Sequence, residues 1–191
     1  VAEFITSAPT HARLPEHGLP EVAFAGRSNV GKSSLVGTLM GQPKLVRTSR
    51  TPGRTQLLNL FLHRDLLAIV DLPGYGYAKL SHTDRRRLSL MMREYVAART
   101  CLRGVVVVLD ARRETPSELD LEMVSWAMQA NRQVLLAVTK CDLVPKTRRL
   151  HQTRLLEKAM GVPQGCALMC SSKSQEGLKE LHRRLMELDP K

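Results

Sequence analysis

Aromatic side chains are scarce in this chain of 191 residues: Phe, Trp and Tyr together make up 4% of it. A surface that stacks splayed bases needs more rings than that, so any nucleic acid it meets is held by phosphate and shape. No run of about 18 apolar residues occurs, which excludes a membrane-spanning helix. The apolar stretches, such as 105–109, are strand-sized. The first residues lack a basic stretch followed by an apolar core, so no secretory leader is expected. An amphipathic anchor and a lipidation signal are missing too. The four cysteines, Cys101, Cys141, Cys166 and Cys170, form no C-x-x-C pair. They read as small buried hydrophobes in a reducing cytoplasm, not as zinc ligands or disulfides.

Positive charge is in excess. Lys and Arg number 29 against 18 Asp and Glu, a formal net charge of +11 and a pI near 10.0. That balance points to a polyanionic partner, either nucleic acid or an anionic membrane surface. Hydrophobic content of 43% and charged content of 25% are ordinary for a globular chain. The length suits one domain with a full core.

Strand-like and helix-like stretches alternate, the pattern of an α/β fold. Strands are predicted over 21–25, 56–63, 66–71, 104–110, 133–139 and 166–170. Helices are predicted over 32–40, 84–99, 117–129, 147–160 and 175–188. The strands over 56–63 and 66–71 should form an antiparallel hairpin about Arg64 and Asp65. The expected architecture is a mostly parallel six-stranded sheet with one antiparallel strand and helices on both faces. Residues 1–20 read as an N-terminal arm, and 21–191 as one domain.

Gly26-Arg27-Ser28-Asn29-Val30-Gly31-Lys32-Ser33 fits G-x-x-x-x-G-K-[ST] between a predicted strand and a predicted helix. Gly26 and Gly31 let the backbone wrap around phosphates, and the helix N-terminus adds partial positive charge. Lys32 brings a cation to the β- and γ-phosphates, and the Ser33 hydroxyl can ligate Mg²⁺. Asp71-Leu72-Pro73-Gly74 follows the next strand pair. Its carboxylate can hold Mg²⁺ through a water, and the Gly74 N–H can reach a γ-phosphate. Thr139-Lys140-Cys141-Asp142 resembles a guanine-reading [NT]-K-x-D motif: an ionised Asp142 can accept two N–H donors from guanine, which adenine cannot offer. The Lys140 stem can lie along the base. Ser171-Ser172-Lys173 resembles the S-A-K loop whose backbone supports the guanine carbonyl. Between Ser33 and Asp71 lies Thr51-Pro52-Gly53-Arg54-Thr55, where a switch threonine is needed. Thr55 is the choice for closing over Mg²⁺ and the γ-phosphate, with Thr51 and Thr48 as alternatives. A loop held only by γ-phosphate is released after hydrolysis.

Five blocks together, G-R-S-N-V-G-K-S-S-L, T-S-R-T-P-G-R-T-Q-L-L-N-L-F, D-L-P-G-Y-G-Y-A, L-D-A-R and T-K-C-D-L, resemble the YihA/EngB family of bacterial ribosome-biogenesis GTPases. The likeness runs over nearly the whole chain. It implies a P-loop G domain in the cytoplasm that binds GTP or GDP with Mg²⁺, hydrolyses GTP slowly and assists assembly of the large (50S) ribosomal subunit, with a role in growth and cell division. It implies phosphate contacts from Gly26 through Ser34, contacts at Gly53 and Arg54, metal ligation by Ser33, Thr55 and Asp71, and catalytic placement of Lys32, Thr55 and Gly74. Leu72, Pro73, Cys141, Ser172 and Lys173 fall within the same nucleotide-contacting motifs. The expected partner is the large subunit or its precursor; no DNA, membrane anchor or oligomer is expected.

The position after D-x-x-G, where other GTPases place a water-orienting Gln, is Tyr75. A phenol cannot both donate and accept as an amide does, so turnover should be slow and completed by a partner or a cation. Asn29 is the residue that would hold K⁺. Basic runs at Arg85, Arg86, Arg87, Arg93, Arg99, Arg103, Arg112 and Arg113, and again from Lys140 to Lys146, Arg148, Arg149, Arg154 and Lys158, suit rRNA phosphates. Two other readings stay open: a membrane- or division-site switch using that basic face, and an RNA-binding module with little hydrolysis.

Overall fold

The computed structural model describes residues 2–42, 57–76 and 81–188. Among these residues seven strands form one sheet in the order β1-β3-β4-β2-β5-β6-β7. They are β1 (Ala2–Ala8), β2 (Glu21–Gly26), β3 (Leu58–His63), β4 (Leu67–Asp71), β5 (Leu102–Asp110), β6 (Gln133–Thr139) and β7 (Ala167–Met169). Only β3 runs against the rest: it pairs antiparallel with both β1 and β4, and the other pairings are parallel. One antiparallel strand was expected, but in a six-stranded sheet. The seventh is β1, drawn from the segment read as an arm. Its F-I-T run is β-branched and aromatic and stops before Pro9, which suits an edge strand. Phe4 packs its ring on Phe61 at 5.5 Å, and Ala2 and Ala8 are buried.

Among the described residues five helices cover the sheet: α1 (Lys32–Leu39), α2 (His82–Ala98), α3 (Glu118–Gln129), α4 (Lys146–Met160) and α5 (Leu178–Met186). The strand period of two divides the core between the faces. Val105, Val107 and Leu109 of β5 point to a cluster with Leu88 and Met92 of α2, Met123 of α3 and Leu156 of α4. Val106 and Val108 point the other way, to Leu35 of α1 and Leu181 and Leu185 of α5. Being covered on both faces explains why β5 reads as an unbroken apolar run.

Local signals set the helix ends. Ser81 caps α2 by accepting from the Asp84 amide at 3.1 Å, so the helix starts at His82, earlier than the predicted Asp84. Ser117 and Asp120 form a reciprocal capping box at the start of α3. The last helix begins at Leu178, not at the predicted Gln175. Gly177 before it sits at φ 73°, and a Cβ there would collide with the Met169 carbonyl. Arg99, counted above among surface cations, is buried: it donates to both carboxylate oxygens of Glu21, which also accepts from Tyr95 at 2.7 Å.

Strands β4 and β5 flank β2 on opposite sides, and α1 and α2 lie on opposite faces of the sheet, so a crevice opens beyond the C-terminal ends of these strands. Open α/β sheets bind ligands at such a place.

Candidate nucleotide site

The loop from β2 to α1 lies over this crevice. A Cβ at Gly26 would come within 2.8 Å of the Val108 carbonyl, so only glycine lets β2 end there against β5. Gly31 (φ 96°) and Asn29 (φ 64°) take left-handed conformations that turn the chain into α1. Val30 is buried and Asn29 exposed. A cavity of about 320 Å³ is lined by Arg27, Ser28, Asn29, Gly31, Lys32, Ser33 and Ser34 together with Gly74 and Lys140.

Lys32, nearly fully buried, donates to the Asp71 carboxylate and to the Leu72 carbonyl at 2.6 Å. Asp71 is wholly buried at the end of β4. The Ser33 Oγ is buried with no hydrogen-bond partner among the described residues. A buried hydroxyl without a partner is costly, and that hydroxyl and the carboxylate that its neighbour Lys32 contacts are hard oxygen donors of the kind that suit Mg²⁺. The residues present fit that ion. Leu72 and Pro73 are buried, and Gly74 lies against the loop: a Cβ there would meet the Ser28 Oγ at 3.2 Å.

The other end of the cavity is a closed network. Thr139 Oγ directs its hydroxyl at the Val30 carbonyl (2.5 Å) and the Leu109 carbonyl (2.9 Å), tying β6 to the loop. Lys140, at φ 60°, donates to the Asn29 carbonyl at 2.9 Å and to Asp110 Oδ2 at 2.8 Å. Asp110 in turn receives Arg112 through Nε (2.9 Å) and Nη2 (2.7 Å). Burial opposes its charge, but these hydrogen bonds win and hold its carboxyl well below the usual range. Cys141 is buried, its amide donating to the Cys170 carbonyl at 3.2 Å. The buried Ser171 hydroxyl donates to Asp142 Oδ1 at 2.6 Å and accepts the Lys173 and Ser174 amides. That bond lowers the pKa of the exposed Asp142, so it is ionised at neutral pH with acceptor capacity turned outward. Ser172 is half-buried beside it.

The four motif segments are therefore joined in space: Gly74 and Lys140 line the cavity with the 27–34 loop, Asp71 meets Lys32, Thr139 meets Val30, and Ser171 meets Asp142. Gly53, Arg54 and Thr55, with Thr48 and Thr51, lie outside the described residues, as does Tyr77. Two acidic residues were not singled out from the sequence: Asp110, visible there only inside L-D-A-R, and Asp120, which carries the Tyr75 phenol. The D-x-R spacing at a strand end was the available signal for the first.

A family model described as "50S ribosome-binding GTPase" matches residues 21–140. The "Probable GTP-binding protein EngB" of Geotalea daltonii is 45% identical over 188 residues, covering 98% of this chain and 90% of the relative. The one from Citrifermentans bemidjiense is 46% identical over 183 residues, 96% and 85% of the two chains.

The chain belongs to the EngB family of GTP-binding proteins.

A crystal structure of a probable GTP-binding protein EngB shares the fold at a TM-score of 0.75 and 23% identity, covering 88% of this chain and 97% of that one. Era, in complex with MgGDPNP and nucleotides 1506–1542 of 16S ribosomal RNA, matches at 0.65 and 20% identity over 91% of this chain and 57% of that one. The fold is that of a P-loop GTPase G domain, and membership of the family implies binding and hydrolysis of GTP. No helix among the described residues is long and apolar enough to cross a membrane.

Proposed function

We propose that this protein is a GTP-driven switch that binds the large ribosomal subunit or its precursor in the cytoplasm and assists its assembly, supporting growth and division. The observation that carries the reading is one cavity lined both by Ser33, whose hydroxyl has no partner among the described residues, and by Lys140, two residues before the exposed, ionised Asp142. In this reading Thr139, Lys140, Asp142 and the loop at Ser171, Ser172 and Lys173 hold guanine, and the amides of residues 26–34 cradle the phosphates. Ser33 and Asp71, with Thr55, hold Mg²⁺, which when bound neutralises charge on the phosphate oxygens. Lys32 exchanges Asp71 for the β- and γ-phosphates, and Gly74 meets the terminal phosphate. Gly53, Arg54 and Thr55 close over it.

Hydrolysis is slow in this reading because no water-orienting amide follows Gly74; the Tyr75 ring that stands there is 1% exposed and points away to Asp120. A partner, or K⁺ held at Asn29, completes the geometry. The basic residues that remain exposed, including Arg86, Arg87 and Arg93 on α2 and Arg148, Arg154 and Lys158 on α4, face rRNA phosphates. The family description and the Era complex support an RNA-bearing partner.

The test is single-turnover GTP hydrolysis with and without purified large subunits, and with anionic liposomes in a parallel arm. Slow hydrolysis accelerated by subunits alone is the expected result. Stimulation by liposomes alone favours the membrane switch, and no hydrolysis in any arm leaves only a nucleotide-binding module.

A further inference from the structure

Tyr75 is pinned at both of its ends. Its backbone lies on the P-loop: the carbonyl accepts the Ser28 amide at 2.7 Å and the Ser28 hydroxyl at 3.0 Å, and the amide donates to the Gly26 carbonyl at 3.3 Å. Residues 27 and 75 form an isolated parallel bridge. The side chain runs the other way, into the core, where its hydroxyl donates to Asp120 Oδ1 at 2.5 Å. Asp120 is itself fixed, because Oδ2 takes the Ser117 amide at 2.8 Å and the Ser117 hydroxyl at 2.7 Å in the cap of α3. Burial, with Asp120 adding to it, pushes the Tyr75 phenol well above its ordinary pKa, so it stays a donor across the physiological range. Gly76 follows at φ 78° under the Arg27 side chain; a Cβ there would come within 3.2 Å of Arg27 Nε.

We propose that Tyr75, anchored on Asp120, is a positioning residue that fixes the Gly74 amide over the P-loop before GTP arrives, and so sets the affinity for GTP relative to that for GDP. The inference rests on the guanine-nucleotide reading above. Its physics is preorganisation. A donor aimed in advance at a developing or incoming charge costs no ordering when the ligand binds. In that reading Gly74 meets the terminal phosphate and no other phosphate, so loosening its anchor weakens the triphosphate and spares the diphosphate. The same anchor makes the N-terminus of α3 part of the nucleotide readout, because a shift of the Ser117 and Asp120 cap moves the phenol that holds the turn.

Tyr75→Phe tests this, with Tyr95→Phe as a matched control. Tyr95 also buries a phenol that donates to a carboxylate, Glu21, on the same face of the sheet, but at the end away from the crevice. Affinities for GDP and for a non-hydrolysable GTP analogue are measured with Mg²⁺ for wild type and both variants. The expected result is about a fivefold loss for the analogue in Tyr75→Phe, the scale of one hydrogen bond, with GDP affinity nearly unchanged. The Tyr95→Phe variant keeps the wild-type ratio. An unchanged ratio in Tyr75→Phe, or an equal shift in Tyr95→Phe, overturns the proposal. Amide exchange on the wild-type protein gives a second reading that needs no variant. Protection of the Ser28 and Tyr75 amides already in the GDP form is expected, and protection appearing only with the analogue overturns the preformed turn. If wild type binds neither nucleotide, the guanine-nucleotide reading falls first and this inference with it.

Discussion

Thr139, Lys140, Asp142 and Ser171 at one end of the crevice all have protein partners, whereas at the other end Ser33 has none among the described residues and Lys32 is held by a carboxylate that, in the proposed reading, phosphates displace. The two ends should respond differently to damage. The network side is built before the ligand comes, so its residues act through small displacements and affect GTP and GDP alike. The phosphate side holds a buried ion pair, Lys32 with Asp71, so a change there should cost stability as well as binding.

The largest effect is expected at Lys32. In Lys32→Ala the buried Asp71 loses its lysine, and breaking a buried pair on one side costs about 3–5 kcal/mol. Urea unfolding without nucleotide should show the loss, and GTP binding should fall below detection. An unchanged midpoint would mean that the pair contributes nothing and that the ends do not differ in this way. Next comes Asp142→Asn, which trades an acceptor for a donor. GTP affinity should drop about 100-fold, roughly 3 kcal/mol, with xanthine nucleotides gaining against GTP, as read by competition with a fluorescent nucleotide. Stability should hardly change, because Asp142 is exposed.

Asp110→Asn sharpens the comparison. It loosens Lys140 without touching a phosphate, so GTP and GDP affinities should fall together by about tenfold. A loss confined to GTP would put Asp110 on the wrong side of the comparison. The same variant has a pH signature. The folded-state pKa of Asp110 is depressed, so its contribution to stability is present above the ordinary carboxylate value of about 4 and is lost as pH falls through the lower folded value. Wild type and variant should therefore differ in stability at pH 7 and converge in acid. The smallest effect is that of K⁺: hydrolysis should run several-fold faster in K⁺ than in Na⁺ at equal ionic strength, and Asn29→Ala should abolish the difference. Equal rates in wild type remove the cation from the account.

Most of the crevice was legible because its chemistry is carried by short motifs whose order along the chain survives folding. A strand ending in Gly26, a helix opening at Lys32 and carboxylates after later strands need no tertiary knowledge. What escaped was whatever depends on distant partners. Asp110 and Asp120 matter through Lys140 and Tyr75, 30 and 45 residues away in sequence, and neither separation is visible as a pattern. Arg99 looked like surface charge until Glu21 was found beneath it. Strand β1 escaped because half of an edge strand faces solvent and its two buried ends are both Ala, a weak strand former.

Cosedimentation with purified large ribosomal subunits, in a non-hydrolysable GTP analogue and in GDP across a salt series, tests the central claim most directly. A ligand shifts an equilibrium only by its differential contacts, so a switch must bind subunits more tightly in the analogue. Phosphate contacts release counterions, so binding must weaken steeply as salt rises, and Arg86→Glu with Arg87→Glu must weaken it without lowering GTP affinity. Binding that ignores both nucleotide and salt would contradict the account.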